Sequence, residues 1–312
     1  NILIVGGSLG AKALNERLPP ALKQLQVPLN IFHQCGQQQV EATQALYADA
    51  PANLTVHVLP FIEDMAKAYG EADLIICRAL VAIYSDDFLS SRLAFRGGTA
   101  LHKLYLSPQP RYSEDIDMVQ IVSEPIKPTI DKLREVLSFL GVPTVKQKRN
   151  NNTLVFKIDS TDIPVTTLRL KVEINCREHF SILGFEKVDF SVTNLWFTGK
   201  CQIITYKLDE LIGTKVRALY ERRKGRDLFD LYKALQNKNL NTENVLNCFK
   251  EYMAREGKKP THSLYVSNME EKMANDEFTG DTASLLRPDE KYNPNEAYEI
   301  VKAQIIDKLI VP

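Results

Sequence analysis

The sequence has little of what would tie it to a membrane, a metal cage or a disulfide scaffold. No apolar run approaches the ~20 residues that a bilayer-spanning helix needs. The N-terminus lacks the basic, then apolar, then small-residue order of a secretory signal. The cysteines, Cys35, Cys77, Cys176, Cys201 and Cys248, are scattered, odd in number and never spaced C-x-x-C. That pattern argues against a disulfide framework and a thiolate zinc site, and a reducing cytoplasm fits it best. His33, His57, His102, His179 and His262 form no spaced ligand set and read as structural or surface residues. A charge excess is also missing: 39 Lys and Arg balance 39 Asp and Glu, so there is no bulk electrostatic case for nucleic acid. There is no internal repeat and no low-complexity tract. Position 1 is not methionine, and Asn1 opens directly on Ile2-Leu3-Ile4-Val5; the expectation is a piece of something longer, or a processed chain.

What is present divides into two unlike parts. The 312 residues are enough for two domains, and 44% hydrophobic with 25% charged residues is ordinary for a globular protein. In the first 79 residues, strand-like runs at Ile2–Val5, Asn30–His33, Leu54–Leu59 and Leu74–Cys77 alternate with helical stretches at Ala11–Leu25, Val40–Tyr47 and Ile62–Tyr69. Such alternation predicts a Rossmann-like α/β unit with parallel strands. From Leu80 the order becomes helix, Gly-Gly turn, helix, strand, a β-rich middle (Leu154–Thr205) and a helical end, which is an α+β plan. No Gly/Ser/Pro-rich linker separates the parts. The expected division is 1–79 and 80–312, with the helical part starting at about 207.

In the first part, Gly6-Gly7-Ser8-Leu9-Gly10 follows a strand and precedes a helix, where backbone N–H groups and a dipole end can receive a phosphate. The segments ILIVGGSLGAKALNERLP, IFHQCG and FIEDMAKAYGEADLIICRA resemble the donor-binding domain of MurG-type peptidoglycan N-acetylglucosaminyltransferases. That resemblance implies a UDP-binding role for Gly6, Gly7, Ser8 and Gly10. The family continues with an A/G-L-T-x-x-E stretch that grips the nucleotide, whereas this chain continues LVAIYSDDFL. A structural remnant is therefore expected, dispensable for catalysis, with glycosyl transfer as the alternative function.

In the second part, Arg96-Gly97-Gly98-Thr99 opens a helix whose N–H groups and hydroxyl are suited to a triphosphate. Asp115 and Asp117 lie two apart in a strand-like stretch, so both carboxylates share one face, about 6.5–7 Å apart at Cα. Paired hard oxygen donors suit a Mg²⁺ shared with phosphates. Glu173, in Leu170-Lys171-Val172-Glu173-Ile174, is a third acid on an expected neighbouring strand and could complete a two-metal site. Each feature has a plain alternative: an ordinary turn for Gly-Gly, a solvated edge-strand face for D-x-D. Their order, Gly-Gly then D-x-D then K-x-E, is that of the polymerase-beta-type nucleotidyltransferase fold.

A third cluster holds Lys215, Arg217, Arg222, Arg223, Lys224 and Arg226 against Glu221, followed by Asp227 and Asp230. Lys215 is a candidate for triphosphate binding. Asp227 and Asp230 are candidates for orienting that lysine or for deprotonating the acceptor, and Arg222, Arg223 and Lys224 for contacting an RNA backbone. The structural alternative makes Asp227 a helix cap and Arg226–Asp230 an i,i+4 pair. Further on, Asn293-Pro294 reads as a helix start, followed by an apolar stripe at Ala297, Ile300, Val301, Ile305 and Leu309.

The segments RGGTALHKLY, RYSEDIDMV, LKVEI and KVRALYERRKGRDLFDLY resemble the AbiEii/AbiGii family, the toxin nucleotidyltransferases of abortive-infection toxin–antitoxin systems. The resemblance covers roughly Arg78–Leu309. It implies phosphate binding by Gly97, Gly98 and Thr99, Mg²⁺ binding by Asp115 and Asp117, and later-motif roles for Lys215, Asp227 and Asp230. It also implies an NTP substrate, an antitoxin partner from the same operon, and an RNA acceptor with tRNA 3′ ends leading. Members of that family carry a further helix before the LVAIYS stretch. Here the glycosyltransferase-like piece stands in its place, so a third expectation is an inactive fusion whose enzyme fold is weakened at the Arg78-Ala79 seam.

Overall fold

Alternating apolar runs and helical periods in the first sixty residues fold as their pattern dictates. The computed structural model describes all residues except 1, 6–11, 37–38, 60–63, 149, 160–166, 195–196, 237–239 and 310–312. Strands β1 (Ile2–Val5), β2 (Leu29–Gln34) and β3 (Leu54–Leu59) form a parallel sheet in the order β1-β2-β3, joined through helices α1 (Lys12–Leu22) and α2 (Val40–Leu46). Its core is small, with Ile4, Leu22, Ile31 and Leu54 buried together. The Gly6–Gly10 loop lies outside the described residues.

The fourth expected strand is not one. Leu74–Cys77 lies inside α3 (Asp64–Tyr84), a single helix that runs through position 79 without a break. A short apolar run such as Leu74-Ile75-Ile76-Cys77 fits a buried strand or a helix equally well, and the residues after it decide between the two. Here Ala79-Leu80-Val81-Ala82-Ile83 extends the run, and Ile76, Ala79, Leu80 and Ile83, at spacings of three and four, are all fully buried. They share one core with Phe95, Ile116, Met118, Val172 and Ile203 of the second part. Burying each large aliphatic side chain contributes about 1.5–3 kcal/mol. The seam is thus a continuous helix, and the expected 79/80 boundary falls inside it, with the end of the first part packed in the core of the second.

After α4 (Asp87–Ser90), capped by the Asp86 side chain, the chain enters β4 (Leu93–Arg96), α5 (Gly97–Leu104) and β5 (Asp115–Gln120). Helix α6 (Lys127–Val136) leads to β6 (Thr144–Lys148), β7 (Asn151–Asp159), β8 (Thr167–Asn175), β9 (Phe185–Thr193) and β10 (Thr198–Tyr206). The seven strands form one mixed sheet in the order β6-β7-β8-β5-β4-β10-β9. β5 is parallel to β8, and β4 meets β10 in parallel. The D-x-D strand is therefore central, not an edge.

The remaining chain is helical: α7 (Leu208–Glu221), α8 (Gly225–Ala234), α9 (Thr242–Arg255), α10 (His262–Met273), α11 (Asp276–Gly280) and α12 (Pro294–Gln304). Asn293 caps α12 through its side chain, as Asn-Pro predicts. Ala297, Val301, Ile305 and Leu309 are buried, but Ile300, expected in that stripe, is 37% exposed. These helices enclose a second core around Val216, Leu228, Phe249, Met253 and Tyr265. α5 stands between the two cores: Ala100 is buried in the first and Leu101 in the second. That placement sets the Gly97-Gly98 turn where sheet and helices meet.

Candidate active site

Strand register assembles the acids. Asp117 on β5 is opposite Arg96 on β4 and Glu173 on β8, and Asp115 is opposite Lys171. Lys171 Nζ stands 3.5 Å from Asp115 Oδ2, and Asn151 Nδ2 3.4 Å from Glu173 Oε2. Burial raises the pKa of Asp115 above the usual carboxylate value, with Lys171 opposing and Glu173 adding to the rise. Asp117 is raised by burial and then by the charges of Glu173 and Asp115. Among the described residues, no three His, Cys, Asp or Glu side chains already form a metal cage. Asp115, Asp117 and Glu173 are hard oxygen donors, and their mutual repulsion is of the kind a divalent ion would relieve.

The glycine turn is pressed against these acids. Gly97 has φ 78°, and a Cβ there would run into the Asp117 carboxylate. A Cβ on Gly98 would stand 2.5 Å from Arg111 Nη2, 2.8 Å from Asp230 Oδ2 and 3.2 Å from Lys215 Nζ. The two glycines thus join all three clusters seen in the sequence. Thr99 Oγ1 donates to the Asp115 carbonyl at 2.6 Å, tying the start of α5 to β5. Arg96 has no side-chain cap to give α5; its guanidinium is paired with Glu178 at 2.5 Å. The first-turn N–H groups of α5 lack partners within the helix and offer an anion site.

Behind Gly98 lies a buried ionic network. Asp230, fully buried, accepts from Arg111 Nε at 2.8 Å, Arg111 Nη2 at 2.9 Å and His102 Nε2 at 2.7 Å, with Lys215 Nζ at 2.9 Å. Asp227, equally buried, receives Lys215 Nζ at 2.8 Å and the Arg222 fork at 2.6 and 2.8 Å. Burial alone would push both acids up. Arg111, Lys215 and His102 instead hold Asp230 well below the usual range, and Lys215 with Arg222 lowers Asp227. Burial likewise opposes the charge on Lys215, but the two aspartates raise its pKa and keep it cationic. His102 is lowered to about 4 by burial and by Arg111, so it is neutral at pH 7 and donates to Asp230 through Nε2.

These positions settle some sequence alternatives. Asp227 is not a cap: Lys224 occupies that position and Asp227 lies inside the first turn of α8. Arg226 does not pair with Asp230; it reaches Glu114 and Asp281. Of the basic residues assigned to RNA, Arg222 is held by Asp227, Arg223 pairs with Glu271, and Lys224 stands 3.8 Å from Asp281. Arg223 remains exposed and Lys224 is half-buried. Sequence reading gave no role to Arg96, Arg111 or Glu178 and took His102 as a structural or surface residue. Arg111 and His102 both lie within the motif segments, but their ion pairs reach across more than a hundred positions, which no local period reveals.

The geometry agrees with what comparison finds. Residues 78–303 match the family model for the nucleotidyl transferase AbiEii toxin of type IV toxin–antitoxin systems, and residues 1–79 match the C-terminal domain of glycosyltransferase family 28. Over 79 residues the chain is 98% identical to the UDP-N-acetylglucosamine--N-acetylmuramyl-(pentapeptide) pyrophosphoryl-undecaprenol N-acetylglucosamine transferase of Acinetobacter baumannii strain SDF, and 73% identical to that of Acinetobacter baylyi. That stretch is 25% of this chain and spans only 22% of the length of those relatives. Among solved structures, MenT4, a nucleotidyltransferase toxin from Mycobacterium tuberculosis, superposes with a TM-score of 0.52 at 16% identity, over 78% of this chain and 84% of that one; it shares the fold. Among the described residues, no helix is long and apolar enough to cross a membrane. With a central D-x-D strand, a glycine turn against it and a lysine behind the turn, all within the matched span, the chain belongs to the AbiEii nucleotidyltransferase toxin family, preceded by a MurG-like glycosyltransferase fragment.

Proposed function

We propose that this chain transfers a nucleotide from an NTP to an RNA acceptor, with tRNA 3′ ends as the leading class, in a Mg²⁺-dependent reaction. The observation that carries the proposal is the contact of the Gly97-Gly98 turn with Asp117 on one side and Lys215 on the other. The triphosphate would lie along the start of α5, where N–H groups donate to its oxygens and the Lys215 ammonium balances its charge. Asp115 and Asp117, with Glu173 beside them, would hold Mg²⁺, which supplies charge neutralisation at the phosphates. The acceptor hydroxyl oxygen bonds to the α-phosphorus as the bond to pyrophosphate breaks, with the hydroxyl proton passing to solvent water. Asp227 and Asp230 are ion-paired and low in pKa, which makes them poor proton acceptors and good supports for Lys215.

The family's toxin–antitoxin setting adds an antitoxin as partner and the cytoplasm as the site of action. Glycosyl transfer is disfavoured, because Leu74–Cys77 is absorbed into α3 and Ile75, Ile76 and Cys77 pack in or against the nucleotidyltransferase core. The same helix speaks against a fold broken at the seam. Incubating the full chain with each α-labelled NTP, Mg²⁺ and total RNA tests the proposal. Label on RNA supports it; turnover of UDP-GlcNAc on a lipid acceptor without such label overturns it.

A further inference from the structure

Among the described residues, helix α3 contributes a buried carboxylate to the surroundings of this site, Asp73, which lies outside the 78–303 match, as does Cys77, whose Sγ stands 3.2 Å from Lys103 Nζ. Asp73 is 6% exposed. Its Oδ2 accepts from Lys103 Nζ, in the last turn of α5, at 2.7 Å and from Arg287 Nη2 at 3.4 Å. Its Oδ1 accepts from the Ser113 backbone N–H at 3.2 Å and from Gln109 Nε2 at 3.1 Å. Gln109 Nε2 also donates to the Arg111 carbonyl at 2.6 Å. One carboxylate therefore gathers α5, the loop that carries Arg111, and the segment around Arg287. That segment grips the same loop from its other side: Tyr112 N–H donates to the Leu285 carbonyl at 2.8 Å, and Arg287 N–H to the Pro110 carbonyl at 3.0 Å.

From this arrangement we infer that Asp73, in the glycosyltransferase-like segment, is a positioning residue for nucleotidyl transfer. The inference rests on the proposed function. Asp73 fixes the backbone of Arg111, Arg111 fixes Asp230 by two hydrogen bonds, and Asp230 with Asp227 fixes Lys215 beside Gly98. At the other end it anchors α5 through Lys103, which is 5% exposed in its side chain. Both ends of a helix only 8 residues long are thereby tied, the first turn to β5 through Thr99 and the last to α3. The fused segment is then part of the working enzyme, not only a scaffold for its core.

The test separates tether from charge in the full chain. Asp73→Asn with Lys103→Met removes the charge pair but keeps a carbonyl oxygen for Ser113 and Gln109. Asp73→Ala with Lys103→Met removes the same charges and the acceptor as well. The second variant should fall about tenfold or more below the first in kcat/KM for the NTP, since small misplacements of a binding group are costly. Amide exchange across residues 109–113 should quicken only in the second. Equal rates and equal exchange in the two folded variants would overturn the inference. If Asp73→Ala with Lys103→Met does not fold, Gln109→Met cuts the link to Arg111 with the Asp73–Lys103 pair intact, and a wild-type rate there would overturn it equally. Absence of transfer by the wild type would defeat the proposed function instead; the exchange comparison would still decide the tether.

Discussion

Gly98 lies so close to Lys215 that a Cβ added to the glycine would stand 3.2 Å from the lysine ammonium. The same Cβ would meet Arg111 and Asp230 still sooner, so the backbone of the turn and the buried network are in direct contact. Gly98→Ala should push these groups apart at a cost of about 1–3 kcal/mol. Transfer should fall by roughly two orders of magnitude, because the displaced charge is the one proposed to meet the phosphates. Gly97→Ala should be at least as harmful, since φ is positive there and Asp117 blocks the space. Steady-state transfer rates with denaturant midpoints check both; a Gly98→Ala enzyme with wild-type rates would break the link between turn and network.

The two sets of acids should respond to neutralisation in opposite ways. Burial and neighbouring charges raise the pKa of Asp117, so its ionised form is held in the fold against a cost. Asp117→Asn should leave stability unchanged or higher while abolishing transfer. Asp230 is depressed and paired with Arg111, Lys215 and His102. Asp230→Asn leaves buried cations uncompensated and should cost about 3–5 kcal/mol. Urea unfolding of both variants decides it; loss of stability in Asp117→Asn with none in Asp230→Asn would reverse the assignment.

How much of this the sequence disclosed depends on the range of the interactions. Gly97-Gly98, Asp115, Asp117 and Glu173 were legible because a tight turn and a period of two are local rules, and strand register then brings Asp117 and Glu173 opposite each other. The network of Arg111, His102, Asp227 and Asp230 was only half legible. Its members lie in recognisable segments, but which cation meets which acid depends on how α5, α7 and α8 pack. Leu74–Cys77 misled for a different reason. An apolar run of that length carries no period of its own, and the residues on the far side of the seam made it a helix.

Acid should weaken the protein in two stages. His102 in the fold is lowered to about 4 from an ordinary 6.5, so the unfolded chain binds more protons between those values. Its stabilisation is complete above pH 6.5 and is lost as pH falls toward 4, on the order of 3 kcal/mol in all. Glu178 is opposed by burial, but Arg96 and Arg217 lower it to about 2 from 4.5; its contribution is present above pH 4.5 and is lost as pH falls toward 2. In His102→Gln the decline between pH 6.5 and 4 should flatten while the lower stage persists. Denaturant midpoints across pH would show this, and an unaltered upper stage would remove His102 as its source.

The two parts of the chain should differ in how their cores affect catalysis. Ile76 and Ile31 are both fully buried, but Ile76 packs in the nucleotidyltransferase core and Ile31 in the small parallel-sheet core. Either change to Ala should cost about 2–5 kcal/mol locally. Only Ile76→Ala should lower the temperature at which transfer activity is lost. Gly7→Asp, which places a charge in the glycine loop of the first part, should also leave NTP transfer unchanged. If Ile31→Ala or Gly7→Asp slows transfer while thermal stability is unaltered, the first sheet must reach the site.

The basic turn between α7 and α8 should divide into two kinds of residue. Arg222 gives its fork to buried Asp227, so Arg222→Ala should destabilise the protein and disturb Lys215, with an effect on transfer to any acceptor, short or long. Arg223 is exposed and Lys224 half-buried, and their pairs with Glu271 and Asp281 are worth at most about 1 kcal/mol each. Their charges are free to exchange those partners for phosphates. The double change of Arg223 and Lys224 to Ala should therefore leave stability and NTP affinity near wild type. It should weaken RNA binding and make the dependence of log affinity on log salt shallower, by about 0.7 for each single-strand phosphate that is no longer neutralised. The drop in affinity should be similar across RNA sequences, since backbone contacts position without specifying. Filter binding from low to moderate salt measures the slope directly. A double variant with the wild-type slope would mean that this turn is a solvated face, and that the RNA is held elsewhere.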